Sequence, residues 1–263
     1  MTTEDPNSSI LRGIRTLMGL AEAGGPVSVG VLAAALQLPP STTHRILSAL
    51  RQAGYVVQDP ATGSYSPGSA FLRAATLFSA SSTYPQAVQA NLASVVEQSG
   101  ESAYYGAYLG EMQRFRFIAQ IYSEHAVHYV VRKDKDYSVL WGASGRSIAA
   151  FLPEKTLKSI YEREKGAAEG NAKVPPWKDF AKDMAQIRET GWCTTNNQRF
   201  EGAHSIAAPV MGFNGMPIGC VGISMPSMRR NESRIKTLAT IAMDTARNLS
   251  FVAQCAVEEI PSH

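Results

Sequence analysis

The stretch LPPSTTHRILSALRQAGYV, Leu38 to Val56, restricts the fold more than any other part of the chain. Proline cannot continue a hydrogen-bonded helix, so one helix has to stop at Leu38–Pro40. Pro40 can open the next, because the first helical N–H needs no intrahelical partner. From there Thr43, Ile46, Leu47, Leu50 and Ala53 recur on one side, and Gly54 ends the run. Ser41, Thr42, His44, Arg45 and Ser48 are left on the other side.

The flanks give that helix a context. Upstream, Ile10, Ile14, Leu17 and Leu20 repeat at helical spacing, with Ser8 or Ser9 as cap and AGGP as terminator. Ser28 can cap a second helix, VGVLAAALQL, with Val31, Leu32, Ala35 and Leu36 as its apolar face and LPP as its stop. Downstream, YVVQDPATGSYSP reads as strand, turn and return strand. Three helices followed by a hairpin make a winged helix-turn-helix.

In that motif the first turn of the third helix enters the major groove of double-stranded DNA. Ser41 and Thr42 can donate to phosphates or base edges, and Arg45 to guanine or phosphate, with His44 beside it. Wing residues Gln58, Thr62, Ser64 and Tyr65 are placed to touch the minor groove or backbone, with packing beneath the wing as the other reading of Tyr65. The bland alternative is a small helix with a solvated polar face. Net charge does not separate the two: the chain carries +3, and residues 1–80 hold five arginines against four acids. One such module buries little surface, so tight operator binding calls for a dimer or a higher oligomer.

The 263 residues allow two domains. Residues 1–67 form the DNA-binding unit. GSAFLRAATLFSASSTY, residues 68–84, reads as a linking helix with Phe71, Leu72, Ala75 and Phe78 recurring. From 85 to 263 helices and strands mix: a helix over 85–99, strands ESAYYGAYLG, EMQRFRFIAQIY and HAVHYVVRKD, and two helices broken at Pro153. A helix ending at Gly191, two strands joined by FNGM and a long helix over 231–258 follow. This is an α+β domain with an antiparallel sheet.

Three cysteines without a CxxC, and five histidines, argue against a disulfide framework or a zinc site, and the chain reads as an intracellular protein. The polar, acidic N-terminus lacks the pattern of a signal peptide, and no apolar run approaches the ~20 residues that span a bilayer. A cytoplasmic protein without cofactor, metal or membrane partner is expected.

The segments SVGVLAAALQLPPSTTHRILSALRQAGYV, WGASGRSIAAFLP and IRETGWCTTNNQRFEGAHSIAAPVMGFNGMPIGCVGISMPSMR together resemble the IclR family of bacterial transcriptional regulators. The resemblance runs over nearly the whole chain. It departs at Arg146, where the family usually has lysine, at Trp192 for tyrosine, and at Met225 for glycine. It implies a GAF-like effector-binding domain taking a small molecule, often an organic acid or aromatic metabolite, and a homodimer through the DNA-binding half, frequently a dimer of dimers. By motif, the effector contacts map onto Ala143, Ser144, Thr195, Ser205, Gly222 and Ser224.

Other readings concern the same region. Cys220 lies two residues before Gly222 and so shares its strand face. Among the aromatics of the early strands, Tyr105 and Phe117 are candidate ligand contacts. A rival function is a hydrolase with Cys193 as nucleophile, His204 as base and Glu201 as orienter, although no nucleophile elbow accompanies them. A second rival is a winged helix that docks on protein. The small polar residues Ser41, Thr42 and Ser48 argue against it, because protein interfaces centre on aromatic anchors.

Overall fold

A computed structural model of the protein describes residues 9–81, 83–167, 169–171 and 173–258. The chain divides into two compact units between residues 82 and 83.

The first unit begins with α1 (Ser9–Glu22), α2 (Val29–Leu36) and α3 (Pro40–Gln52). The hairpin β1 (Val56–Gln58) and β2 (Tyr65–Pro67) follows, and α4 (Ser69–Ser81) closes the unit. Leu20, Leu32, Leu47, Val56 and Tyr65 meet in its core. On α1, Leu20 is buried and Leu17 half-buried, but Ile10 and Ile14 are exposed at 72% and 52%. The core therefore takes only the C-terminal part of the periodic stripe. Ser8 lies outside the described residues.

Ser28 caps α2 as expected, accepting the Val31 N–H. The buried positions of α2 are Leu32 and Ala33, while Val31 and Ala35 face solvent. An eight-residue helix between two neighbours buries a narrow strip, and here it is shifted one residue from the expected one. Gln37 in the left-handed region ends the helix before the prolines are reached. In α3, Thr43 and Leu47 are buried, Ile46 and Leu50 half-buried, and Ala53 exposed. On α4, Phe71 is half-buried and Leu72 exposed; the side chains of Ala75 and Phe78 lie outside the described residues.

The second unit is a six-stranded antiparallel sheet in the order β5-β4-β3-β8-β7-β6. Its elements, after α5 (Thr83–Ser99), are β3 (Ser102–Leu109), β4 (Arg114–Ile121), β5 (Asp136–Ser138), α6 (Gly142–Ala149), α7 (Glu154–Glu164) and α8 (Trp177–Thr190). Then come β6 (Cys193–Asn196), β7 (Ala203–Met211), β8 (Pro217–Pro226) and α9 (Glu232–Glu258). Strand alternation sends Ala103, Tyr105, Ile206, Val221 and Ile223 to one face, against α5 and α9. Tyr104, Ala207 and Cys220 go to the other, against α6, with α7 and α8 beyond. A bulge in β4, where Tyr105 pairs with Ala119 but Gly106 with Phe117, brings Phe115 and Phe117 onto the α6 side.

HAVHYVVRKD is not a strand. Val127 and Val130 are exposed, the Tyr129 carbonyl is taken by the Tyr104 hydroxyl, and the edge of β4 is paired instead by Asp136–Ser138. The short strand β6, unannounced by periodicity, completes the other edge.

Candidate functional site

The first turn of α3 stands clear of the core. Ser41, His44 and Arg45 are exposed and Thr42 and Ser48 half-buried, while Thr43 turns inward and donates to the Pro39 carbonyl (3.2 Å). Arg51 is already engaged: its Nη1 donates to Gln58 Oε1 (2.7 Å), and Gln58 Nε2 donates in turn to the Gly63 carbonyl. Arg45 is thus better placed than Arg51 to meet an incoming phosphate or base.

The wing spends its polar groups on itself. Thr62 donates to Asp59 Oδ2 (2.9 Å) and accepts the Ser64 N–H (3.3 Å). The Ala61 N–H, and then Thr62, hold the Asp59 carboxyl below its ordinary pKa. Thr62 remains exposed and Ser64 half-buried. Tyr65 packs beneath the wing, 1% exposed, and exchanges both backbone hydrogen bonds with Val27.

In the second unit a cavity of about 30 Å³ lies between the start of α6 and the α6-side face of β7 and β8. Space on that scale holds roughly two waters. Ala143, Ser144, Thr195, Ser205, Gly222 and Ser224 all line it, and so does Phe117. The register explains the convergence: Thr195 pairs with Ser205, and Ser205 with Ser224, across three adjacent strands. Ser205 donates to Ser224 (3.3 Å), so the two hydroxyls form one polar patch. A Cβ at Gly222 would stand 2.9 Å from Ser144 Oγ, so the glycine admits that hydroxyl. Tyr104, Tyr129 and Val131 supply much of the apolar wall.

The loop after β6 adds residues that periodicity could not reveal. Gln198, Arg199 and Phe200 line the cavity. Asn197 and Gly202, both at positive φ, fold the loop back over the sheet. Gln198 Oε1 accepts the Gly142 N–H (2.9 Å), capping α6, whose own N-cap residue Trp141 makes no side-chain cap bond. The Arg199 side chain is only 6% exposed, and burial pulls its pKa down to about 10. It donates to the Ser138 and Trp141 carbonyls and lies over the rings of Tyr137 and Phe115.

Two expected contacts lie elsewhere. Tyr105 points to the opposite sheet face, where its hydroxyl accepts from Tyr84 (2.8 Å), because alternation gives the cavity side to Tyr104. Cys220 shares the face of Gly222 but lies outside the cavity wall, fully buried, with its thiol pushed up to about 12 by burial.

Nor do the residues of the hydrolase reading converge. Cys193 pairs with Ala207 and His204 with Asn196, three places along β6, so the two side chains leave opposite faces. Burial raises the Cys193 thiol to about 12 and lowers the His204 pKa, the reverse of what a thiolate nucleophile with a protonatable base requires. Among the described residues no group of three or more His, Cys, Asp or Glu could hold a metal, and no helix is long and apolar enough to cross a membrane.

Residues 9–60 match the family model of the IclR helix-turn-helix domain, and residues 84–251 that of the bacterial transcriptional regulator IclR C-terminal domain. The chain belongs to the IclR family. Its relatives in the IclR family include the transcriptional repressor IclR of Escherichia coli K12, 24% identical over 92% of this chain and 89% of that protein. The HTH-type transcriptional repressor AllR of the same organism is 24% identical over 91% of this chain and 88% of its own length. Two solved structures share the fold: a putative IclR regulator from Silicibacter sp. (TM-score 0.74, 20% identity, 92% and 96% coverage) and the Thermotoga maritima IclR (TM-score 0.62, 20% identity, 93% and 98% coverage). The protein is accordingly a DNA-binding transcriptional regulator of the IclR type, with a winged helix-turn-helix and a GAF-like α+β domain.

Proposed function

We propose that this regulator reads double-stranded operator DNA with Ser41, Thr42, His44 and Arg45, supported on the backbone by Thr62 and Ser64, and that a small organic acid in the C-terminal cavity controls the binding. The observation that carries this reading is the convergence of Ala143, Ser144, Thr195, Ser205, Gly222 and Ser224, drawn from four separate elements, on one cavity. A carboxylate suits the start of α6, where the helix dipole and backbone N–H groups favour negative charge.

The working unit is a homodimer or a dimer of dimers in the cytoplasm. Ile10, Ile14 and Met18 form an exposed apolar stripe at four-residue spacing along α1, suited to a second copy of the same helix. In this reading α4 (Ser69–Ser81) serves as the linking helix expected over residues 68–84, and the ligand favours one arrangement of the paired DNA-binding units over another.

A gel shift on the DNA flanking the gene tests this. The full chain should retard a specific fragment, and Arg45→Ala should weaken that retardation. No specific shift from a confirmed oligomer, on any flanking fragment, would overturn the DNA-reading assignment.

A further inference from the structure

We propose that residues 123–132 form a strap that closes the cavity beneath α6 and swings away to open it, with the Tyr129 hydroxyl as its latch. Such a door has a use only if the cavity takes a ligand, as proposed above. A cavity of about 30 Å³, with space for roughly two waters, cannot take in a larger molecule unless a wall moves.

Most of the wall is fixed. Ser205, Gly222 and Ser224 stand on paired strands, and Ala143 and Ser144 on α6. The loop after β6 has no ladder of its own but is tied down on several sides. The Asn197 N–H donates to the Ala203 carbonyl, the Gly202 N–H to Asn197 Oδ1, and the Ser227 N–H to the Gly202 carbonyl. Gln198 and Arg199 fasten it to Gly142 and to the Ser138 carbonyl. Residues 123–132 differ. They contain no helix or strand, and among the described residues they make no backbone–backbone hydrogen bond. Yet Tyr129 and Val131 belong to the cavity wall. A segment without backbone pairing opens at lower cost than the sheet around it.

Bonds to side chains hold the strap shut. Its ends are pinned: the Ser123 N–H donates to Ser102 Oγ (3.0 Å), and the Arg132 N–H to the Tyr137 hydroxyl (3.3 Å). Between them Arg229, itself clamped by the buried Glu101 carboxylate, donates to the Val127 carbonyl (2.9 Å). The Tyr104 hydroxyl donates to the Tyr129 carbonyl. Among the described residues, the one hydrogen bond from strap to fixed loop is made by Tyr129, whose hydroxyl donates to the Glu201 carbonyl (2.7 Å). Gly202 makes room for it, since a Cβ there would stand 2.5 Å from the Tyr129 hydroxyl oxygen. Breaking that bond frees the strap from the loop while both end pins stay in place.

The test needs no ligand. Ser224→Cys puts a thiol on the cavity wall of the full chain, and its alkylation by iodoacetamide is followed by peptide mass mapping. Cys220, on the same strand but outside the cavity wall and fully buried, is the internal control. The introduced thiol should react about ten-fold or more faster than Cys220, because strap opening costs less than unfolding the sheet. Adding Tyr129→Phe, which keeps the ring and removes the latch, should speed that reaction a further five- to ten-fold or about that, the worth of one net hydrogen bond, and leave Cys220 unchanged. Hydrogen exchange of the single variant Tyr129→Phe against wild type should quicken in residues 123–132 and not in β7 or β8, and this arm needs no introduced cysteine. The proposal is overturned if the introduced thiol reacts no faster than Cys220, or as fast as a free thiol before the latch is removed. It is also overturned if Tyr129→Phe changes neither rate, or raises both together as general loosening would. The ligand reading fails separately: if the strap behaves as described but no small organic acid shifts the melting of the wild-type chain, the strap stands and the effector assignment falls.

Discussion

Gln198 caps α6 across 56 residues of sequence: its Oε1 accepts the backbone N–H of Gly142 at 2.9 Å. The loop after β6 and the helix that faces the cavity are therefore joined by one hydrogen bond at the cavity's edge. Gln198→Ala removes the acceptor and leaves a helix-start donor without its protein partner. We expect a loss of about 1 kcal/mol, typical of a lost cap, seen as a lower urea midpoint for the transition of the C-terminal unit. Gln198→Glu keeps an acceptor and adds charge near the helix start, so it should retain most of the stability.

The wing depends on a glycine for a different reason. A Cβ at Gly68 would stand 2.3 Å from the Gly54 carbonyl oxygen and 2.9 Å from the Val56 nitrogen. Both are backbone atoms and cannot swing aside. Gly68→Ala should destabilise the N-terminal unit by about 1–3 kcal/mol, as overpacking does elsewhere. Circular dichroism melts of the full chain would show the early transition moving down while the C-terminal one stays.

Arg45 and Arg51 lie on the same helix but differ in commitment, since Arg51 is bonded to Gln58 of the wing. Arg45→Ala should lower specific operator affinity by about 1–3 kcal/mol, the worth of a good base contact, and flatten the preference over mutated operators. Arg51→Ala should loosen the wing while leaving the base preference in place. Binding isotherms on a set of single-base operator variants separate the two; a flattened preference in Arg51→Ala alone would reverse the assignment.

Local patterns made the α3 face, the hairpin and the FNGM turn legible, because helix and strand periods depend on neighbours in sequence. The cavity wall was legible where a motif carried it, at Ala143, Ser144, Thr195, Ser205, Gly222 and Ser224. Long-range facts were not. The β4 bulge, which sends Phe117 and Tyr105 to opposite faces, has no local signature. Nor has the chain reversal at Asn197 and Gly202 that brings Gln198, Arg199 and Phe200 to the cavity wall. The alternation of apolar residues in HAVHYVVRKD resembled a strand, but Tyr129 and Val131 serve as cavity wall in a loop. Ile10 and Ile14 matched a core stripe although the core ends nearer Leu17.

The buried thiols give an alkaline signature that also tests the hydrolase reading. Cys193 and Cys220 have an ordinary value of 9.0, and burial raises each to about 12 in the folded protein. Between those values the unfolded chain releases a proton that the folded chain keeps, so the folded state binds more protons and stability falls as pH rises. The contribution is complete below pH 9, is lost progressively above it, and is gone once the folded value of about 12 is passed. Each thiol should cost up to about 1.4 kcal/mol per pH unit in that window. Cys193→Ala and Cys220→Ala should each make the stability–pH slope shallower above pH 9, whatever their packing cost at neutral pH. Because both native thiols stay protonated and enclosed, iodoacetamide at pH 8 should leave them unmodified in the folded protein and label them in urea, with peptide mass mapping to distinguish them from Cys255. Rapid alkylation of native Cys193 would mean an accessible thiolate, and only then would a nucleophilic role for it regain support.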